Sequence, residues 1–364
     1  MSLSFDNLTN LTAPMAMDLC KSHPYFIFGE IIWRIGALIC VLLGMPSHAI
    51  IIAVMLNFKN RRQPICLYFT TISIFESVYL ISKQSEKRFW SISNGCILVV
   101  FWSWCSSLSL VRDPREVLSC GTYYSLTIGS SNISTLLLTA ASIDRVLIVV
   151  YPSRSSNFVT QTKVLIKIFI IIIGVSLLII QYHFSFYFSY SFYICDYYSY
   201  AELWHGKVWP LIRLSLLAFL PCIITCLCSV VILRNRYYRR PSTTSETSGS
   251  RHMRTASLLL VIYSIYYTLS VMPMNVLQFF HSSFFPNDLL MGQSTIDCSK
   301  FSQWKLLMKF CKLLLAVNYS NKFLVHYLIS LQFRRDFWRL FTHCYSVPYR
   351  YDRRGRSRDS NGHL

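Results

Sequence analysis

The sequence predicts an all-α membrane protein: a bundle of seven transmembrane helices, with a short amphipathic helix after the seventh span. Three observations carry this. Of the 364 residues, 53% are hydrophobic and only 14% charged, against roughly a quarter charged in soluble domains, which is too little charge to cover a water-facing surface. Apolar runs long enough to cross a bilayer recur along the chain, and a helix lets such a run satisfy its own backbone. Basic residues gather in alternate connections and in the tail: Lys59, Arg61 and Arg62; Arg234, Arg236, Arg239 and Arg240; then Arg334, Arg335, Arg339, Arg350, Arg353, Arg354, Arg356 and Arg358. That alternation is the positive-inside bias.

The formal net charge of +19 would suggest nucleic acid in a soluble protein. Here its distribution is accounted for by topology and by anionic lipid head groups, so membrane lipid is expected as a partner and nucleic acid is not.

Seven spans are expected at 31–56, 64–83, 118–150, 163–183, 207–234, 254–281 and 303–330. An odd number puts the termini on opposite sides, with the Arg-rich tail cytoplasmic and the start of the chain outside, in a multi-pass plasma-membrane protein. Asn7-Leu8-Thr9 and Asn10-Leu11-Thr12 are glycosylation acceptors in a short polar leader, consistent with that orientation. No basic segment followed by an apolar core lies near Met1, so the first span is expected to act as the insertion signal. The organisation is then an extracellular 1–30, a membrane domain 31–332 with a flexible cytoplasmic loop 235–254, an amphipathic helix 333–342 and a disordered tail 343–364.

Residues 97–110, ILVVFWSWCSSLSL, are too short for a span and read as an interfacial helix or a re-entrant lid. In FRRDFWRLF, the side chains of Phe333, Phe337, Trp338 and Phe341 are expected to enter the inner leaflet, which makes the nearby Cys344 a palmitoylation candidate. The thirteen cysteines show no CxxC pair and no His/Cys spacing that suggests a metal. No cofactor is expected. The scattered His48, His183, His281 and His326 give no catalytic constellation, so the chain does not read as an enzyme.

The stretch AASIDRVLIVVYP buries adjacent opposite charges, Asp144 and Arg145, at the foot of span three. From there a long Arg side chain can snorkel to water while Asp144 partly neutralises it. An ordinary interfacial ion pair would look the same.

Asp144-Arg145-Val146 followed by Tyr151-Pro152 resembles the Asp/Glu-Arg-Tyr motif that ends the third helix of rhodopsin-like (class A) G-protein-coupled receptors. Cys120 lies 25 residues before Arg145, as in that family, and Cys195 lies where the family places its disulfide partner. Pro221, Pro273 and Phe333-Arg334-Arg335 also fall in register. NYSNKFLVHY in span seven is similar to the corresponding segment of invertebrate neuropeptide receptors, the FMRFamide-receptor group. The resemblance implies that Asp144, Arg145 and Val146 engage a heterotrimeric G protein, that Cys120 and Cys195 are bridged, and that Pro221 and Pro273 bend their helices. A proline that is merely tolerated would look the same at either position.

The departures from the family pattern cluster. His48 and Glu76 stand at the family's helix-one Asn and helix-two Asp; Val271 replaces the aromatic switch before Pro273; Ser229 stands for a Tyr in span five. Lys322, Phe323 and His326 replace the Asn, Pro and Tyr of span seven. In relatives a sodium ion sits among the helix-two carboxylate, a helix-three Ser and the helix-seven Asn. The resemblance therefore brings Glu76, Ser134 and Lys322 together, with the Lys322 ammonium in the ion's place. Lys322 snorkelling elsewhere in a degraded motif is the other reading.

Candidate ligand-binding residues are Tyr123, Tyr124, Thr127, Gln278 and His281, expected to line the outer half of the bundle with spans three, five, six and seven. The loop YHFSFYFSYSFYICDYYSYAELW adds many aromatic rings with two acids, Asp196 and Glu202. Such a surface suits a peptide through stacking and cation–π contacts; a lipid, or a plain interfacial belt, is the alternative. The main rival to a receptor is a proton- or ion-coupled transporter that uses His48, Glu76 and Lys322 as a relay. A receptor fold that no longer signals is the other.

Overall fold

A helix packed in hydrocarbon turns large apolar side chains outward and small or polar ones toward its neighbours, because lipid solvates the former and not the latter. The chain follows that rule. In the computed structural model, residues 22–56, 63–84, 119–151, 159–189, 194–201, 203–238, 248–284 and 298–345 are described. They form α1 (Pro24–Leu56), α2 (Pro64–Gln84), α3 (Cys120–Val150), α4 (Gln161–Ile179), the short α5 (Gln181–Ser185), strands β1 (Phe186–Ser189) and β2 (Ile194–Tyr197), and a compound helix α6 over 204–238. Then come α7 (Ser248–Phe284), α8 (Cys298–Ser320), α9 (Lys322–Ile329) and α10 (Leu331–Tyr345).

α3 is the axis of the bundle. It packs on α2, α4, α6 and α7 and buries Ser130, Ser131, Asn132, Ser134, Thr135, Thr139 and Ser142. α4 is peripheral and leaves Leu165, Ile166, Phe169, Ile170, Ile173 and Leu177 exposed. Many inward hydroxyls donate to the carbonyl four residues back, as Thr139 does to Thr135 at 3.0 Å and Ser142 to Leu138 at 2.9 Å, which satisfies them without water. α1 and α8 run parallel: a Cβ added at Gly29, Gly36 or Gly44 would meet Leu306, Leu313 or Ser320 in turn, so the two helices advance in step.

Among the described residues, six helices are long and apolar enough to cross a membrane. The seventh expected span, α8 with α9, is not one of them. Lys300, Lys305, Lys309 and Lys312 interrupt its apolar content, and Lys309 is compensated by Glu30 of α1 at 2.9 Å. Within the loop expected at 235–254, α6 continues to Tyr238 and α7 already starts at Ser248, while 239–247 lie outside the described residues.

α6 is irregular for a local reason. Trp204–Val208 and Arg213–Phe219 are π-helical, and each wide turn lies just before a proline, Pro210 or Pro221. A proline gives no N–H and pushes away the preceding carbonyls. The backbone then bonds five residues back, Trp209 N–H to the Trp204 carbonyl and Leu220 N–H to the Ser215 carbonyl.

The two ends of the bundle differ. At one, Cys120 at the start of α3 is bridged to Cys195 of β2, with Cα atoms 5.6 Å apart. β1 and β2 form an antiparallel hairpin over this disulfide end, with Phe188 opposite Cys195. Cys298 is also disulfide-bonded; the segment 97–110 lies outside the described residues. At the other, arginine end, α10 packs back on the bundle. Phe333 is only 3% exposed, its ring 5.2 Å from His326 and 5.8 Å from Phe323. Phe333 and Phe337 thus face protein and not the leaflet expected for them, while Trp338 stays exposed. They are diverted because α9 offers Phe323 and Tyr327 as ring partners for Phe337 as well.

Candidate functional site

Three polar or aromatic centres lie along the bundle. At the arginine end, consecutive residues on α3 diverge by about 100°, so Asp144 and Arg145 face different helices. Asp144 accepts a hydrogen bond from the Tyr68 hydroxyl of α2 at 2.8 Å and another from the Lys167 ammonium of α4. Arg145 faces α7, where its Nε donates to Ser257 Oγ at 3.1 Å. Two expectations are corrected here. The ion pair of Asp144 is with Lys167 and not Arg145, and Arg145 is 4% exposed, held inside and not snorkelled to water. Val146 is half-buried beside them. Lys167 was legible as the one charge within QTKVLIKIFIIII past the start of span four.

At mid-bundle, Glu76 of α2 is 1% and Lys322 of α9 is 6% exposed. The Lys322 ammonium donates to Glu76 Oε1, and Ser134 Oγ donates to the same oxygen at 2.6 Å. A break at Asn321, between α8 and α9, places Lys322 at the start of α9, and the Lys322 carbonyl accepts from the Tyr263 hydroxyl of α7 at 3.1 Å. The ammonium also lies over the Tyr263 and Tyr319 rings, 5.2 and 6.0 Å from their centroids. Five helices, α2, α3, α7, α8 and α9, meet at one charge pair. His48 is buried on α1 with neither ring nitrogen hydrogen-bonded. His326 packs edge-on to Phe69, 4.9 Å away. A hydrogen-bonded relay through His48, Glu76 and Lys322 is therefore not formed.

At the disulfide end, a cavity of about 250 Å³ is lined by Tyr124 and Ile128 of α3, by Tyr182, Phe186 and Cys195 of the hairpin region, and by residues of α6 and α7. α6 supplies His205, Trp209, Pro210 and Arg213; α7 supplies Asn275, Gln278 and Phe279. Rings form its wall. Phe186 is 4.7 Å from Tyr124 and from His205, and Tyr182 is 5.8 Å from Trp209, whose indole N–H donates to the Tyr182 hydroxyl.

Of the predicted ligand residues, Tyr124 and Gln278 line this cavity. Tyr123 and Thr127 do not: both are buried, and the Thr127 hydroxyl donates to the Tyr123 carbonyl at 2.9 Å with Ser82 Oγ 3.2 Å away. α8 contributes no lining residue among those described, contrary to the expected role of span seven. Asn7, Asn10 and Glu202 lie outside the described residues, as do the side chains of Asp196, His281 and Cys344. The sequence reading missed His205, Trp209 and Arg213. Arg213 carried a signal, as the one charge in WPLIRLSLLAFLP.

A multi-span helical bundle, bridged by a disulfide at one end and holding a buried arginine at the other, defines an integral membrane protein of receptor type. The family described as 7 transmembrane receptor (rhodopsin family) matches residues 49–322, from within α1 to the first residue of α9. The chain belongs to that family, the rhodopsin-like G-protein-coupled receptors, which are signalling receptors and not enzymes. No curated protein matches it.

Proposed function

We propose that this receptor passes a signal from a peptide, bound at the disulfide end, to a heterotrimeric G protein at the arginine end. In this reading α8 and α9 form the seventh span, α10 lies on the membrane surface, and the protein sits in the plasma membrane. Residues 1–30 are then outside, carrying glycans on Asn7 and Asn10, and 343–364 are inside, with Cys344 available for acylation. One observation carries the reading: Arg145 ties α3 to α7 through Ser257. Separating those two helices would open a cleft at that end and bare the guanidinium. A ligand that favours the open state must then raise affinity for the inner partner by the same factor. The Lys322 ammonium takes the place of the sodium ion found in relatives and locks α2, α3 and α9 together.

The test is a screen of neuropeptides, amidated and free-acid, on cells expressing the receptor with promiscuous G proteins, reading guanine-nucleotide exchange. Peptide-dependent exchange that disappears in Arg145→Ala at equal surface expression supports the proposal. Exchange that is indifferent to Arg145, or no response to any peptide, overturns it.

A further inference from the structure

The cavity at the disulfide end holds a charge that none of its described lining residues answers. Arg213 is half-buried, its Nε is buried without a hydrogen-bond partner, and among the described lining residues there is no Asp or Glu. Arg213 and the Tyr182 phenol line the same cavity. A cation kept in an apolar span without an acidic partner is costly, and such residues mark ligand paths. In the same lining, Gln278 Oε1 is a second buried atom without a hydrogen-bond partner, here an acceptor. The remaining wall is aromatic.

We infer that the cavity takes the C-terminal residue of a peptide that ends in a free carboxylate and an aromatic side chain. This rests on the peptide-receptor reading above and specifies what the peptide must carry. Each part of such a terminus has a counterpart. The carboxylate meets Arg213, whose planar fork suits it in charge and shape. The last amide N–H meets Gln278 Oε1. The ring enters the cluster of Tyr124, Tyr182, Phe186 and Trp209, where offset and edge-on contacts are already the rule. The size agrees: about 250 Å³ is below the usual range for a whole drug-sized ligand, roughly 300–1,000 Å³, and so fits the end of a larger one. An amidated terminus would bring a neutral group to Arg213 and leave the cation unanswered.

Helix geometry explains why these side chains converge. His205, Trp209 and Arg213 recur every four residues. In an α-helix each such step drifts by about 40°, whereas a π turn, bonded five residues apart, drifts the opposite way. α6 takes the first step through a π turn and the second through α-helical Trp209–Ile212, so the drifts cancel and all three reach the cavity. π segments of this kind recur at functional sites.

The experiment uses purified full-length receptor in detergent and three probes: N-acetyl-phenylalanine, its amide, and dodecanoate. Binding is read from the shift in thermal-unfolding midpoint across a concentration series. The free acid is expected to bind at least about tenfold more tightly than the amide, the scale of one hydrogen bond to a charged group. Arg213→Gln should abolish that preference, Arg213→Lys should keep part of it, and Gln278→Leu should weaken both aromatic probes alike. Equal binding of acid and amide, a preference that survives Arg213→Gln, or no binding by any probe overturns the inference. Dodecanoate binding as tightly as the aromatic acid overturns the peptide-terminus assignment, since the carboxylate would then come from a lipid. Binding needs no G protein, so an acid-selective receptor that fails to drive exchange would sink the signalling reading and leave this one standing.

Discussion

The Lys322 ammonium and the Glu76 carboxylate, 246 positions apart in sequence, meet directly in the buried middle of the bundle. Neither residue is tolerable there alone. Removing one partner of a buried ion pair costs about 3–5 kcal/mol, because the other charge is left uncompensated. Glu76→Gln and Lys322→Gln should each lower the unfolding midpoint sharply, and the double substitution should cost less than the sum of the two. The swap Glu76→Lys with Lys322→Glu should recover part of the loss. Strict additivity in that cycle would show that the two charges do not stabilise each other.

The Arg145–Ser257 hydrogen bond is expected to restrain signalling. Ser257→Ala removes the acceptor and should raise ligand-independent nucleotide exchange, while the lost bond costs about 1.5–3 kcal/mol or less. Unchanged basal exchange in a well-expressed Ser257→Ala receptor would place the restraint elsewhere.

Asp144 is held by a different set of residues, and its loss should read differently. Lys167→Met and Tyr68→Phe each remove one donor to the buried carboxylate and should lower the unfolding midpoint. Asp144→Asn combined with Lys167→Met should be milder than Lys167→Met alone, since no buried anion is left behind. Midpoints measured on the four proteins decide it.

Two glycines of α3 should respond unequally to alanine. At Gly121 the added carbon would lie 2.5 Å from His183 Cα and 2.9 Å from its nitrogen, which are backbone atoms that cannot rotate away. Gly121→Ala should therefore force α3 from the hairpin region and leave Cys120 and Cys195 partly reduced, as read by thiol labelling. At Gly129 the clash is with the end of the Ile179 side chain, which can change rotamer, so Gly129→Ala should keep the bridge intact.

The helices were legible because an apolar run of bilayer length has few alternatives, and α3, α4 and α6 lie where hydropathy places them. Long-range pairing was legible only through family resemblance: nothing local in TISIFES or NKFLVHY says that Glu76 and Lys322 face each other. The partner of Asp144 was misread because adjacency in sequence is not adjacency on a helix, where neighbours point apart. Phe333 was misread because an amphipathic pattern shows that a face is apolar without saying whether lipid or protein covers it. The cavity was half-seen. Tyr124 and Gln278 lay on expected faces, but the α6 contributors depend on a change of helical pitch, and periodicity arguments assume a constant one.

That change of pitch makes chain length a determinant of recognition. A π turn carries more residues per revolution than an α turn, so deleting a single residue between Arg213 and Phe219 would let this stretch relax to regular spacing. Upstream residues would then keep their facing, whereas the α-helical Leu220–Tyr238 has no such slack: a residue deleted there would turn everything upstream by about 100°, and His205, Trp209 and Arg213 would leave the cavity together. What the receptor selects would be rewritten by an indel that alters none of the side chains that do the selecting.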